Sequence, residues 1–329
     1  MLRGKSMKKT SVLKEIATEL NLSINSVSRA LRDCSDISEK TKERVRKKAI
    51  ELGYIQNTLS RLLAYDDTGL IAIIVKSFGN PYYTTFVQSF IENTDRSDYT
   101  FMVLPIDQFS IDENVIKQCI SQRVTFLITL CHISDKAIEY CQLNGIPVCS
   151  VGFDINHPYC SSVFPDYEQM VYLAEQHLHQ KYGISEVVYC SKTLGKSESN
   201  RYRLLCDQWK KICPQGNVSW LTMENEDKIT ELCYKNEVGF FCYNDELAFS
   251  IIQLARNKYG SSFDHNSLKI VGIDGISIKV CGMMDITSSY CDFTEMISVI
   301  KELIKNTSEG SNARVRYTCS ACLHIKAEL

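Results

Sequence analysis

No run of about 18 apolar residues occurs in this 329-residue sequence, so no membrane-spanning helix and no membrane partner are expected. The opening residues, Met1 to Lys9, lack the apolar centre of a secretory signal, and a cytoplasmic protein is the expectation. Also missing are the Walker loop, the G-x-G-x-x-G and G-x-S-x-G turns and the H-E-x-x-H helix. Their absence removes the familiar catalytic signatures, and the chain is expected to be neither an enzyme nor the carrier of a cofactor. There is no apolar heptad near Leu329 of the kind that joins dimers into a tetramer. Net charge is scarce as well, 37 basic against 39 acidic side chains.

What is present organises itself at once. At 44% hydrophobic residues the chain can bury a sizeable core, and its length suits two or three domains, which excludes a disordered or fibrous protein. The near-zero charge hides an asymmetry: residues 1–65 hold 14 basic and 7 acidic groups, whereas the remainder holds 23 and 32. A small basic module is joined to a large acidic one, and only the first suggests an anionic partner. The 15 cysteines are odd in number and irregularly spaced, and several, including Cys149, Cys190 and Cys242, lie inside apolar runs. They read as reduced core thiols rather than a disulfide framework. Cys319-x-x-Cys322 with His324 nearby is a single pair, and a tetrahedral zinc site would need further ligands at matching spacing, so no metal is expected.

The first sixty residues carry the clearest pattern. Leu13, Ile16, Ala17 and Leu20 follow the i, i+3, i+4, i+7 spacing of one helix face. Asn21, which tolerates the left-handed backbone, ends that helix. Ser23 can cap a second helix in which Val27, Ala30 and Leu31 face inward while Ile24, Asn25, Ser28, Arg29 and Arg32 face out. A third helix starts at Ser38, has Glu39 in its first turn, and runs through Val45, Ala49 and Leu52 to Gly53. This is a helix-turn-helix with a polar, basic outer face, suited to base edges in the major groove. The run Lys40, Lys42, Arg44, Arg46, Lys47 and Lys48 would by itself be a solvated helix face.

The stretches Leu13–Ala17, Leu22–Leu31, Ile37–Val45 and Glu51–Asn57 together resemble the DNA-binding headpiece of the LacI/GalR family of bacterial transcription regulators. The resemblance implies that Ser23, Ile24, Asn25, Ser26, Ser28 and Arg29 contact double-stranded DNA, with Asn57 and Leu63 joining from a hinge helix. Leu63 takes the place of a minor-groove wedge, which costs unstacking and gains a kinked duplex. The alternative is that Leu62 and Leu63 pack against the larger domain. Asn21 replaces the family's usual turn Gly, Gln56 its Pro before the hinge, and Ala64-Tyr65-Asp66-Asp67 its basic residues.

From Gly69 onward short apolar runs alternate with helical stretches: 70–75, 101–104, 126–130, 148–151, 187–190, 239–243 and 270–273 read as buried strands of doubly wound parallel sheets. The fold class is therefore α/β. A small all-α headpiece (8–56), a hinge and linker (57–68) and a two-lobed body (69–329) are expected, with lobes of 69–164 plus 291–329 and of 165–290. Ligands in such sheets bind outside the carboxyl ends of strands. The loops there resemble the family's effector-site elements: Asn80-Pro81-Tyr82-Tyr83, Ser199 to Leu204, Tyr243-Asn244-Asp245 and Val271-Gly272-Ile273-Asp274-Gly275. By that resemblance Tyr82, Tyr83, Arg203, Asn244 and Asp274 bind a small, sugar-like effector. The bland readings are core tyrosines, a surface salt bridge for Arg203, and helix caps or turns for Asn244 and Asp274. The family's Gly-aromatic pair is here Cys206-Asp207, and the second Asp of its last element is Gly275.

The reading is a homodimeric regulator of transcription, expected to repress, that binds a pseudo-palindromic operator because one headpiece reads only a half-site. The alternative is a cytosolic solute-binding receptor without specific DNA reading. Asp66-Asp67, His177-x-His179 and Asp245-Glu246 could in principle supply acid-base groups, but residues two apart on a helix point in different directions.

Overall fold

The computed structural model describes residues 9–31, 34, 36–54, 69–95, 99–107, 110–235, 237–276, 284–311 and 313–327. The chain forms two compact units, Met1–Thr68 and Gly69–Leu329.

In the first unit, α1 (Lys9–Leu20), α2 (Ile24–Leu31) and α3 (Glu39–Glu51) enclose a small core of Ile16, Ala17, Val27, Ala30, Val45 and Ala49. The turn between α1 and α2 depends on one backbone angle. Asn21 sits at φ 54°, and Leu22 N donates to Ala17 O at 2.9 Å while Asn21 N donates to Thr18 O at 3.3 Å. This pairing ends a helix through a left-handed residue, so the side chain best suited after Gly stands where Gly is usual. Gly53 repeats the motif after α3, at φ 61°. Ser38 caps α3 by accepting from Thr41 N, as the sequence predicts. Part of the cationic run is internal rather than solvated: Lys42 is buried and pairs with Glu39 at 2.7 Å, and Lys48 bridges Glu19 and Glu51.

The second unit has its elements in the order β1 (Leu70–Val75), α4 (Pro81–Glu92), β2 (Thr100–Pro105), β3 (Ser110–Ile111), α5 (Glu113–Ser121), β4 (Phe126–Thr129), β5 (His132–Ile133), α6 (Asp135–Leu143), β6 (Val148–Val151) and β7 (Cys160–Pro165). There follow α7 (Tyr167–Gln176), β8 (Glu186–Ser191), α8 (Lys196–Ile212), β9 (Asn217–Thr222), α9 (Glu226–Leu232), β10 (Val238–Cys242), α10 (Asp245–Tyr259), β11 (Ile270–Ile273), β12 (Thr287–Cys291), α11 (Phe293–Ser308), β13 (Arg316–Cys319) and β14 (Ala321–His324). Two six-stranded sheets result, ordered β13-β7-β6-β4-β1-β2 and β14-β12-β11-β10-β8-β9. Every neighbouring pair in them is parallel except β12 with β14.

Helices cover both faces of each sheet, which is why the strands read as unbroken apolar runs. In β1 the period of two is explicit. Ile71, Ile73 and Val75 pack with Phe86, Phe90 and Phe293, whereas Ala72 and Ile74 pack with Ile116 and Ile138 on the opposite face. In the second sheet Val188 and Phe240 face one way and Tyr189 and Phe241 the other.

The chain crosses between lobes three times, at Pro165 to Tyr167, Cys291 to Phe293 and Cys319 to Ala321. The third crossing corrects one expected boundary. Residues 321–324, assigned by pattern to the first lobe, form an antiparallel edge of the second sheet, with Tyr290 opposite Cys322. No apolar run marks β7 or β12, because both carry serine pairs. Ser162 and Ser288 are buried in these strands with their hydroxyls bonded to Ile155 and Asp245, and a hydrophobicity pattern does not register a satisfied hydroxyl.

Candidate functional site

Between the two lobes of the second unit lies a cavity of about 330 Å³, within the range of small-molecule sites. It is built from strand ends and helix starts. After β1, Asn80 caps α4, its Oδ1 accepting from Tyr82 N at 2.9 Å, and Pro81 occupies the first helical turn. That start brings Tyr82 and Tyr83 to the cavity, their rings edge to face at 5.5 Å. Asn80 also donates from Nδ2 to Glu246 Oε2 at 3.1 Å, a hydrogen bond from one lobe to the other. Tyr167 makes a second one, from its hydroxyl to Gly152 O at 3.0 Å.

On the second lobe the guanidinium of Arg201 in α8 stacks over Tyr243 at 4.3 Å and over Tyr167 at 5.2 Å, and it donates to Tyr243 O. The wall of α8 is the face formed by Ser197, Asn200, Arg201 and Leu204, an i, i+3, i+4, i+7 stripe. Arg203 is two positions further along, on the exposed side, and donates to Asn200 Oδ1. The cavity arginine is therefore Arg201, and the expectation for Arg203 is corrected. The spacing of that stripe is present in the sequence itself, and it sets Arg201, not Arg203, on the same face as Ser197 and Leu204. Burial pushes the Tyr167 hydroxyl up to about 12 and raises those of Tyr82 and Tyr83 as well, so all three stay neutral donors at ordinary pH.

Asn244 lines the cavity and caps α10, its Oδ1 accepting from Leu247 N at 3.0 Å. Asp274 lines it too, in a left-handed backbone of φ 119°. Such a conformation is costly for a side chain with a Cβ and persists where its surroundings impose it. The imposing group is Asp245, fully buried, which accepts from Ile276 N at 2.7 Å and from Ser288 Oγ at 2.6 Å; Ser288 Oγ in turn accepts from Gly275 N at 2.9 Å. Gly275 has φ 66°, and a Cβ there would meet the Tyr290 Cβ at 2.8 Å, so the family's second Asp has no room here. A Cβ on Gly272 would stand 2.0 Å from Asp245 Oδ1. Gly272→Ala is therefore expected to destabilise the body by about 1–3 kcal/mol, measured by urea unfolding, and to weaken ligand binding by displacing the Asp274 loop.

Four of the five expected effector residues thus converge, namely Tyr82, Tyr83, Asn244 and Asp274. Motif reading missed Arg201, Tyr167 and Ser197, and Tyr243 was noted only as part of a strand end. His177 is buried against Tyr182, and His179 Nδ1 lies 2.8 Å from Ile184 O, both in structural settings. Glu246 is the partner of Asn80, and Asp66 and Asp67 lie outside the described residues.

In the headpiece, Ile24 is 43% exposed, Asn25 is exposed, and Ser28 and Arg29 are half-exposed along one side of α2. Ser23 accepts from Ser26 N at 2.9 Å, fixing the start of that helix. Arg29 is paired with Asp36 at 2.6 Å. Asn57 and Leu63 lie outside the described residues.

Against this geometry, residues 12–57 match the family described as bacterial regulatory proteins, lacI family. Over 93% of the chain and 95% of its own length, a sucrose operon repressor from Pediococcus pentosaceus is 23% identical. Residues 12–57 thus carry the headpiece of the lacI family. The likeness of fold extends through the body: the lac repressor dimer bound to operator and the anti-inducer ONPF superposes with a TM-score of 0.74 at 19% identity, covering 95% of this chain and 97% of that one. A periplasmic solute binding protein from Actinobacillus succinogenes with bound D-allose reaches 0.65 at 16% identity over 78% of this chain and 97% of its own. The lobed body is thus a fold shared with solute receptors, whereas the basic headpiece marks the regulators. No helix among the described residues is long and apolar enough to cross a membrane.

Proposed function

We propose that this chain is a regulator of the lacI type, a sequence-specific DNA-binding repressor of transcription whose operator affinity is set by a small sugar-like effector in the interlobe cavity. The observation that carries the reading is the pairing, in one chain, of a helix-turn-helix headpiece with a cavity of aromatic faces, the guanidinium of Arg201 and the carboxylates of Asp274 and Asp154, the latter already paired with Arg316. Flat tyrosine faces suit the apolar side of a sugar ring, and Arg201 offers a rigid fork of donors to vicinal hydroxyls. Arg201 and Asp274 bring opposite charges to the same cavity, which favours an uncharged polyhydroxylated ligand over an acid or a phosphate. The names of the sucrose operon repressor and the allose-bound receptor agree with that ligand class.

In this reading residues 8–56 read DNA, 57–68 form the hinge, and 69–329 bind effector and pair two protomers. Ser23 and Ser26 set the start of the reading helix; Ile24, Asn25, Ser28 and Arg29 meet base edges; Asn57 and the Leu63 wedge act in the hinge. Tyr82, Tyr83, Arg201, Asn244 and Asp274 hold the effector. A two-fold dimer places two headpieces on half-sites about one helical turn apart. If effector lowers operator affinity, operator lowers effector affinity by the same factor, which calorimetric titration with and without operator would measure. Selection of random duplex DNA by the full-length protein is expected to enrich a pseudo-palindrome; recovery of salt-sensitive bulk binding alone would reject the repressor reading and leave a solute receptor. Asn25→Ala is expected to cost about 1–3 kcal/mol on the selected operator and to relax preference at one base position, as read by competition binding.

A further inference from the structure

Three metal-ligating side chains from three separate elements meet beside the hinge between the lobes. Cys291 ends β12, Glu295 lies in the first turn of α11, and Cys319 ends β13. One donor atom from each, two thiol sulfurs and a carboxylate oxygen, lies within 4.8 Å of the other two. A tetrahedral zinc ion with bonds of about 2.3 Å to sulfur would hold its two sulfurs about 3.8 Å apart, so small side-chain rotations close the gap. No other cluster of three His, Cys, Asp or Glu donors converges in this way among the described residues.

The carboxylate is already aimed. Glu295 Oε1 accepts from the Tyr317 hydroxyl at 3.1 Å and from Ser320 Oγ at 3.4 Å, and its Oε2 accepts from Ser320 N at 3.1 Å. Outer bonds of this kind hold a ligand in place before the ion arrives. Cys319 is 1% exposed and Cys291 5%, so the thiols face a largely dry space. Cys291 also borders the interlobe cavity, which leaves a route of entry and a fourth coordination position on that side.

We propose that Cys291, Glu295 and Cys319 form a binding site for one thiophilic divalent cation of the zinc class, with its fourth position open to water. Two sulfurs and one carboxylate match zinc and disfavour calcium or magnesium, which require oxygen ligands. Binding displaces the two thiol protons and forms two metal–thiolate bonds and one metal–carboxylate bond, with no change of oxidation state. Because Cys291 and Cys319 stand on two of the three interlobe crossings, an ion there ties those crossings together and stiffens the hinge.

The test uses full-length protein stripped of metal under reductant and titrated with Co²⁺ as a spectroscopic substitute for Zn²⁺. One equivalent is expected to produce sulfur-to-metal charge-transfer absorption together with the visible bands of tetrahedral cobalt, and Zn²⁺ is expected to bleach them. Cys291→Ser and Cys319→Ser are expected to abolish the signal, whereas Cys206→Ser in α8 leaves it intact. Tyr317→Phe, a change on a partly exposed residue that spares the core, is expected to weaken Co²⁺ binding about 10-fold or more by freeing Glu295. Absence of the charge-transfer band, its survival in Cys319→Ser, or unaltered affinity in Tyr317→Phe would each overturn the site. So would spontaneous loss of both thiols in air to a Cys291–Cys319 disulfide, since the pair would then be a redox couple.

Discussion

Replacing Arg201 by Ala is expected to weaken sugar binding by about 2–3 kcal/mol, roughly 30- to 150-fold, while operator binding stays as in the wild type. The guanidinium is held between the rings of Tyr243 and Tyr167 and beside Asp274, so its removal deletes the ligand's charged donors and leaves a void among aromatic faces. Lys is not an adequate substitute, since a point charge on a flexible stem neither stacks on two rings nor presents a planar fork. Arg203→Ala is the matched control, with sugar affinity within about twofold of the wild type, because an exposed contact to Asn200 adds little. A panel of mono- and disaccharides titrated calorimetrically into wild type, Arg201→Ala and Arg203→Ala measures both. Loss of binding in Arg203→Ala with retention in Arg201→Ala would reverse the assignment. In cells carrying an operator-driven reporter, the Arg201→Ala protein is expected to be deaf to the sugar while still regulating.

The second large effect concerns stability. Glu175 in α7 is fully buried, and neither carboxylate oxygen has a hydrogen-bond partner among the described residues. Burial pushes its carboxyl up to about 9 from an ordinary value of 4.5. A raised folded-state value means that the native protein holds a proton which the unfolded chain releases. That contribution is complete below about pH 4.5 and is lost progressively as pH rises towards 9. Each pH unit in that window costs about 1.4 kcal/mol, which amounts to about 3 kcal/mol of lost stability at pH 7.

Glu175→Met, similar in volume and without charge, is therefore expected to raise unfolding free energy by about 3 kcal/mol at pH 7, with a gain that shrinks towards pH 5 and grows towards pH 8. Urea unfolding of both proteins at three pH values decides the matter; a difference that does not change with pH would show that the carboxyl is not the source. The position is legible in hindsight. Met170, Val171, Ala174 and Leu178 are the buried stripe of this helix and its continuation, and Glu175 falls inside that stripe rather than opposite it.

Much of the molecule could be read from local pattern. The headpiece was legible because its signals are short-range: the spacing of Leu13, Ile16, Ala17 and Leu20, the caps at Ser23 and Ser38, and a left-handed stop at Asn21 all act within one or two turns of chain. The central strands were legible because helices on both faces demand unbroken apolar runs. The parallel-sheet rule pointed to the loops after the strands, and the resemblance to the family's effector-site elements picked out Tyr82, Tyr83, Asn244 and Asp274 within them.

Other decisions belong to tertiary structure alone. Which of two nearby arginines enters the cavity depends on the rotation of α8 against its sheet, and a motif two residues out of phase turns a side chain through most of a half-circle. Residues 321–324 joined the second sheet because the open edge of β12 offered unpaired backbone groups, a vacancy that no local pattern announces. Asp245, outwardly one half of an acidic pair with Glu246, became the buried clamp of the Asp274 loop only once Ser288 and Ile276 were brought against it from more than thirty positions along the chain. The meeting of Cys291, Glu295 and Cys319 has the same origin. Sequence alone determined periodicity, caps and left-handed stops, since these are short-range energies; convergence of side chains distant along the chain required the packed sheets, because only their register brings such groups within bonding reach.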